Sequence, residues 1–500
     1  MAVKRYYAKI DNTITNAFEE NLTTRGTGSN MGASDILEVF SIFAQANSSS
    51  AEESRALLKF NATASTDSIT ADRTAGVIPA SGSVSFYLRM FNAKHGQTLP
   101  KNFTMDVSAI SGAWDEGTGL DMEGYKDKDD SNWTNRLPST AWSTTGGDYY
   151  TDASSSFTAS FTSGVEDIEV DITTLVEQWA NSAGNVLGSK NDEGVGVFLS
   201  SVYSGESRSY YTKKFFGRGT EFFFKKPYIE ARWDSATKDD RGTFFFSSSL
   251  ATAAENLNTL YFYNYFRGQL RNIPAVGTGN IYLSVYSGSA DDTAPSGSRL
   301  NLVADGTHVA SSSPTVVTGG YVSTGIYSAS FAATGTLTTL YDVWHDNGSI
   351  EFHTGTIKPE VLDGSATAPD TTFASSITNL KNVYRGDETA RFRVYTRQKD
   401  WSPTIYTKAT AQAEVNIVES GSYEIYRVVD DLKVIPYGTG STLHTQMSFD
   451  ASGSYFDLDM EMLEKGYMYG IKFAYYNNSV GSWVEQPETF KFRVESRQSE

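Results

Sequence analysis

The chain has 500 residues, with 41 Lys plus Arg against 59 Asp plus Glu, a formal charge of −18. A surface this acidic repels phosphate backbones, so duplex nucleic acid is not an expected partner. The absence of cysteine excludes disulfides, thiolate zinc sites and cysteine nucleophiles, and leaves buried apolar surface to stabilise the fold. At about 100–200 residues per domain the length predicts about three to five domains, or fewer if sandwiches dominate. The counts of Tyr (29), Phe (29) and Gly (42), with abundant Ser and Thr, favour short strands joined by tight turns, hence an all-β chain. No apolar run is long enough for a membrane span. The start, Met1-Ala2-Val3-Lys4-Arg5-Tyr6, lacks the apolar stretch of a signal peptide, so a protein made in the cytoplasm is expected.

The first segment runs from residue 1 to 234. Strands are predicted over Ile36–Ala44, Ser54–Phe60, Val84–Phe91, Thr104–Ile110, Val165–Asp171, Gly194–Val202, Ser209–Phe216 and Pro227–Trp233. Val84-Ser85-Phe86-Tyr87-Leu88 and Val195-Gly196-Val197-Phe198-Leu199 alternate with the period of a half-buried strand. One short helix is expected at Ile172–Trp179, with Asp171 as its N-cap and Leu175, Val176 and Trp179 on one face. Roughly eight strands and a small helix match a single two-sheet jelly roll.

Residues 234–242 are polar without apolar periodicity and read as a linker. A second β segment, 242–360, carries strands at Leu260–Arg267, Asn280–Tyr286, Gly325–Phe331, Thr338–His345 and Ser349–Thr354, with a hairpin turn whose Asn347-Gly348 pair supplies positive φ. Residues 363–372 read as a second linker. The last segment, 375–500, carries strands at Ala390–Arg397, Ala413–Ile417, Ser422–Val429, Gln446–Phe449, Gly470–Tyr476 and Phe490–Glu495, with a helical turn or bend at 460–464. Both later segments have the length and strand spacing of immunoglobulin-like sandwiches.

Chemistry-bearing motifs are few. No nucleophile elbow, metalloprotease helix or Walker loop is present. Gly26-Thr27-Gly28-Ser29-Asn30 lacks the lysine that closes a phosphate loop, and a turn is expected. His345 and His353 flank one hairpin, but no third donor is indicated, so surface positions at strand ends are expected rather than a metal site. Asp115, Glu116, Asp121, Glu123, Asp127, Asp129 and Asp130 crowd one loop. A glycosidase pair converges from separate strands, so catalysis is not expected there, whereas hard oxygen ligands leave Ca²⁺ as an open alternative to a solvated loop. No other cofactor is indicated. Trp179 and Trp233 read as core. Trp133, Trp142 and Tyr149 stay open between core and an exposed aromatic platform for sugar rings.

The ordered motifs Asn30-Met31-Gly32, Leu57-Leu58-Lys59-Phe60, Trp114-Asp115-Glu116-Gly117, Ser131-Asn132-Trp133, Ala141-Trp142, Gly146-Gly147-Asp148, Leu175-Val176-Glu177-Gln178-Trp179, Gly194-Val195-Gly196-Val197 and Pro227-Tyr228-Ile229-Glu230 span about the first 230 residues. Together they resemble the jelly-roll module of the DNRLRE type, related to disaggregatase domains and certain carbohydrate-binding modules. The whole chain resembles virion structural proteins of tailed bacteriophages, notably marine contractile-tailed ones. Phe392-Arg393-Val394-Tyr395, Tyr423-Glu424-Ile425-Tyr426-Arg427, Phe456-Asp457-Leu458-Asp459-Met460 and Phe490-Lys491-Phe492-Arg493-Val494-Glu495 carry that second resemblance. It implies a non-enzymatic component of the neck, tail, baseplate or fibre, made in the host cytoplasm and resident in the virion. It also implies contacts with other virion proteins in a trimer or ring. The alternative is an adhesin or receptor-binding protein that reads host polysaccharide through Trp133, Trp142 or Tyr149.

Overall fold

A computed structural model describes residues 2–96, 100–120, 130–180, 187–205, 207–288, 297–361, 372–399, 404–405 and 415–496. The fold is all-β, with 42% of the described residues in strands and 5% in helices. Two compact units form: Ala2–Asp234 with Gly440–His444, and Ser235–Thr439 with Thr445–Glu500. No helix among the described residues is long and apolar enough to cross a membrane.

In the N-terminal unit a four-stranded antiparallel sheet runs in the order Val3–Tyr7, Tyr228–Arg232, Ser85–Met90, Ile168–Asp171. The facing sheet has seven strands: Tyr210–Phe216, Ile36–Phe43, Ala51–Lys59, Val195–Leu199, Phe103–Ala109 and Ser156–Phe161, with Ile10–Thr15 also paired to Ala51–Lys59. Alternation sends Leu58, Met105, Val107, Val195 and Val197 inward against Phe86, Leu88, Ile168 and Ile229 of the four-stranded sheet, where they form one buried cluster. Trp179 and Trp233 belong to this cluster, as their sequence context predicts. The expected helix is present at Thr173–Ala180, and Asp171 Oδ1 accepts the Thr173 N–H at 2.9 Å, satisfying a first-turn donor. Glu230 lies in the four-stranded sheet, 3% exposed, between the guanidiniums of Arg5 (2.8 Å) and Arg232 (2.7 Å). Burial works to raise its carboxyl, and the two cations outweigh that, holding it at about 2.

The second unit begins with a segment that composition marks as a linker. Lys238 makes a parallel bridge to Phe449 and Arg241 closes a bidentate pair on Asp342 (2.6 and 2.8 Å). The Thr259 N–H donates to Asp240 Oδ2 at 2.7 Å. Asp239 is buried, and burial pushes the carboxyls of Asp239 and Asp240 up to about 6. Polar composition here marks a hydrogen-bonded bracket.

Beyond the bracket, seven strands form one continuous path, Asn258–Tyr263, Ile326–Ala333, Val317–Ser323, Ile281–Tyr286, Leu340–His345 and Glu351–Ile357, with Leu302–Val303 on Ile326–Ala333. The path is continuous because Val317–Ser323 changes partner midway. Val317–Gly319 pair with Ile281–Leu283, then Gly320 and its successors pair with Ile326–Ser328 across a bulge. Leu260, Leu283, Tyr327, Phe331 and Trp344 fill the interior. In the 344–353 hairpin only Asn347 takes a positive φ (64°), and Asp346 Oδ1 accepts the Gly348 N–H at 2.6 Å, so the turn is held by the aspartate rather than by two left-handed residues.

The last region pairs a four-stranded sheet (Phe373–Ile377, Thr389–Gln398, Gly453–Asp459, Ser448–Asp450) with a six-stranded one (Val383–Arg385, Phe490–Glu495, Met468–Asn477, Gly421–Arg427, Leu432–Ile435, and Ser482–Glu485 on Met468–Asn477). Phe392, Tyr423 and Phe456 stack between them, at 5.1 Å (Phe392–Phe456) and 4.1 Å (Tyr423–Phe456). A 3₁₀ turn occupies Met460–Met462, where a turn or bend is expected. Of the predicted strand Ala413–Ile417, the first two residues lie outside the described residues and 415–417 are irregular. The linker expected at 363–372 is outside them except for Thr372.

Candidate functional site

The outer face of the seven-stranded sheet carries a different sequence from its inner face. Register places Leu57, Gly196, Ser108 and Ser156 in one row across four strands, with Phe198, Asp106 and Thr158 in the next. Part of this face is roofed by residues of 110–120 and 130–150. Trp114, Trp133 and Trp142 pack with Ile110 onto Leu57 and Ile14, with Tyr149 against the edge of the cluster. The indole N–H of Trp142 donates to the Asn132 carbonyl and that of Trp114 to the Glu193 carbonyl, each at 2.9 Å.

Trp133 is 8% exposed and Trp142 4%, so the exposed indole platform anticipated as one reading is not formed by these two side chains. Their physical role is to cover an apolar row that the opposing sheet does not reach. Gly146, at φ 88°, lies flat against the Trp133 ring, where a Cβ would sit 2.9 Å from an indole carbon.

Tyr149 is placed differently. It is half-buried, lies over Gly196 where a glycine leaves room for its ring, and meets Phe198 at 4.8 Å. Its hydroxyl donates to the Gly146 carbonyl at 2.9 Å, and burial pushes its pKa up to about 12. Beside it opens a groove of about 640 Å³ lined by Arg55, Asp106, Ser108, Ser111, Ser143, Thr144, Gly147, Asp148, Tyr149, Tyr150, Thr151, Ser156 and Phe198. The Arg55 guanidinium lies 5.1 Å from the Trp133 ring, 5.6 Å from Tyr149 and 5.0 Å from Phe198, and donates to the Gly146 carbonyl at 3.0 Å. It is held by rings on several sides. Asp148 accepts the N–H groups of Ser143 (2.9 Å) and Thr144 (2.8 Å), and Asp106 accepts the Ser200 hydroxyl at 2.6 Å. The groove therefore offers aromatic faces, two carboxylates, a cation and a row of hydroxyls. That combination suits a polyhydroxylated ligand, with stacking on ring faces and hydrogen bonds at fixed points.

Of the sequence-derived candidates only Tyr149 lines this groove. Arg55, Asp106, Asp148 and Phe198 escape a motif search because they come from separate strands and a loop. The available signal is Gly196, a glycine inside an alternating strand, which marks a close approach by another group.

Of the acidic loop, Asp115, Glu116 and Asp130 are among the described residues. Glu116 makes a bidentate pair with Arg218, accepts the Asp11 N–H at 2.8 Å, and is thereby committed to a half-buried polar knot. Asp11, 1% exposed, accepts the Arg218 N–H at 2.6 Å, and burial pushes its carboxyl up to about 7. Asp121, Glu123, Asp127 and Asp129, which belong to the Ca²⁺ alternative, lie outside the described residues. Among the described residues no three His, Asp or Glu side chains converge as a metal-ligand group. His345 is not the surface residue expected. It is 6% exposed, its Nε2 is 3.0 Å from Ser284 Oγ and its Nδ1 accepts the Asn347 N–H at 3.0 Å. His353 stacks on Phe262 at 5.4 Å.

No protein-family model matches the chain, and no curated protein matches it. Among solved structures, trypsin-activated α-2-macroglobulin from Escherichia coli matches with 9% identity over 83% of this chain and 22% of its own length, at a TM-score of 0.15. The chain thus spans about a fifth of that protein. The titin domains Z1Z2 in complex with telethonin match with 12% identity over 48% of this chain and 86% of theirs, at a TM-score of 0.13.

Proposed function

We propose that the chain is a non-enzymatic structural component of a bacteriophage particle, at the neck, tail, baseplate or fibre, that docks and bridges neighbouring virion proteins. The observation that supports this most directly is the bracket at 235–242. A segment with linker composition is pinned through Lys238, Asp240 and Arg241, which stiffens the junction between the strands of 258–357 and those of 448–459. Stiff stacked sandwiches transmit force and present loops and edge strands to neighbours, which is what a particle component requires and a turnover enzyme does not. The exposed aromatic hairpin tip of Tyr265 and Phe266 (59% and 54% exposed) is a ready interface anchor. Light scattering after size-exclusion chromatography, together with proteomics of purified particles, tests the proposal. A ring or trimer present in virions is expected, and a monomer absent from particles overturns it.

A second reading has its own support in the Tyr149–Phe198 groove: recognition of host polysaccharide by the N-terminal unit. A glycan array probed with the whole chain and with Phe198→Ala tests it. Loss of signal in the variant is expected, and a wild-type protein that binds no glycan removes this reading.

A further inference from the structure

The N-terminal unit holds a lysine where lysines rarely sit. Lys213 is 2% exposed, in the strand Tyr210–Phe216. A β-bulge between Tyr210 and Lys213 changes the register of that strand just before it. The Phe161 and Phe215 rings lie 5.0 and 5.2 Å from the amine. The Nζ lies 2.6 Å from the side-chain carbonyl oxygen of Asn92, and donates also to the carbonyls of Glu166 (2.7 Å) and Gly164 (3.0 Å). Asn92 is itself fixed. It bridges Phe215, the flanking Phe216 and Ala93 N–H groups donate to the Phe91 and Lys214 carbonyls (3.0 and 2.9 Å), and its own N–H donates to Asp167 Oδ1 at 2.7 Å. An amine and a carboxamide are thus held in contact, in an apolar pocket, by backbone pairing on both sides.

We propose that Lys213 and Asn92 condense to an intramolecular isopeptide bond that covalently staples the two sheets of the N-terminal sandwich. The chemistry balances without an oxidant or cofactor. The neutral Nζ attacks Asn92 Cγ, the carbonyl electron pair moves to Oδ1, and on collapse the Cγ–Nδ2 bond breaks. One amide forms, one is lost, and the nitrogen leaves as ammonia, carrying a proton that originates on Nζ. Burial pulls the Lys213 ammonium down to about 8, against the opposing charges of Asp167 and Glu166, so a useful fraction of free amine exists near neutrality. Those two carboxylates act on the amine through their charge, since Asp167 Oδ1 accepts the Asn92 N–H and Glu166 Oε1 the Thr162 and Ser163 N–H groups, and the Nζ proton passes to the departing nitrogen. Proximity supplies the rest, since both reactants are held in place before reaction. The link joins residues 121 apart in sequence, one in a seven-stranded-sheet strand and one just past the four-stranded-sheet strand Ser85–Met90. In a chain without cysteine it takes the place of an inter-sheet disulfide.

Mass spectrometry of the folded full-length protein tests this. The intact mass is expected to be lighter than the sequence by one ammonia. A tryptic digest is expected to give Met90–Lys94 joined to Ser209–Lys214, with no cleavage after Lys213. The peptide map separates this from ammonia loss by succinimide formation at Asn347-Gly348. Asn92→Ala and Lys213→Arg are expected to abolish the joined peptide. If either fails to fold, Asn92→Asp serves instead, because loss of water from that variant gives the same cross-linked product. Folded wild-type protein that yields Met90–Lys94 quantitatively as a free peptide overturns the proposal.

Discussion

The two faces of the seven-stranded sheet are made by the same strands yet closed by different means. Leu57 and Leu58 are neighbours in one strand and both are fully buried. Leu58 is covered by the opposing sheet and belongs to the main core, whereas Leu57 is covered by Trp114, Trp133 and Trp142. A sheet roofed by another sheet is closed along its whole length. A sheet roofed by a loop is closed only where the loop lies, and the remainder is the groove beside Tyr149 and Phe198. The difference teaches that the outer face holds a groove because its cover is partial.

The largest expected effect breaks the inner face. Phe103 stacks on Phe161 at 4.8 Å, and Phe103→Ala should cost about 3–5 kcal/mol. Urea titration should show loss of the whole N-terminal transition. Glu230→Gln should cost about 3 kcal/mol, because Arg5 and Arg232 stay buried without their shared anion. Trp142→Ala should cost about 3 kcal/mol, at the low end for a buried indole, since a surface segment relaxes more easily than a sheet. Near-UV circular dichroism should change while the main urea transition persists.

A smaller effect sharpens the contrast through pH. The Asp11 carboxyl is raised from 3.8 to about 7 in the fold, so between those values the folded state binds more protons than the unfolded. Its contribution to stability therefore falls as pH rises through that window. Glu230 has the opposite sign. Held at about 2 against an ordinary 4.5, it stabilises above pH 4.5 and that contribution is lost as pH falls through 2. Thermal melts of Asp11→Asn should show a flatter profile between about pH 4 and 7 than the wild type, and an unchanged profile would refute the Asp11 assignment. The smallest effect on stability belongs to the groove, where Phe198→Ala should shift the urea midpoint by less than about 1 kcal/mol equivalent while removing any glycan signal.

Composition and period-2 alternation were enough to read the all-β class, about half of the strands among the described residues and the core roles of Trp179 and Trp233. These follow from local physics, since a strand's apolar stripe is written in consecutive residues. Val3–Tyr7 and Ile10–Thr15 were not legible, because Val-Lys-Arg-Tyr-Tyr and Ile-Asp-Asn-Thr-Ile-Thr carry polar residues whose burial comes from partners far along the chain. The 235–242 segment read as a linker for the same reason: Arg241 shows its partner only when Asp342 is folded beside it.

The sequence by itself determined that this chain is a cysteine-free, acidic, aromatic-rich stack of strands. Only the tertiary structure decided that Trp133 and Trp142 are roof rather than platform, that Tyr149 and Phe198 border a groove, and that Lys213 meets Asn92. Burial and contact between residues many positions apart depend on which strands pair and which loops lie over them, and no local pattern encodes that.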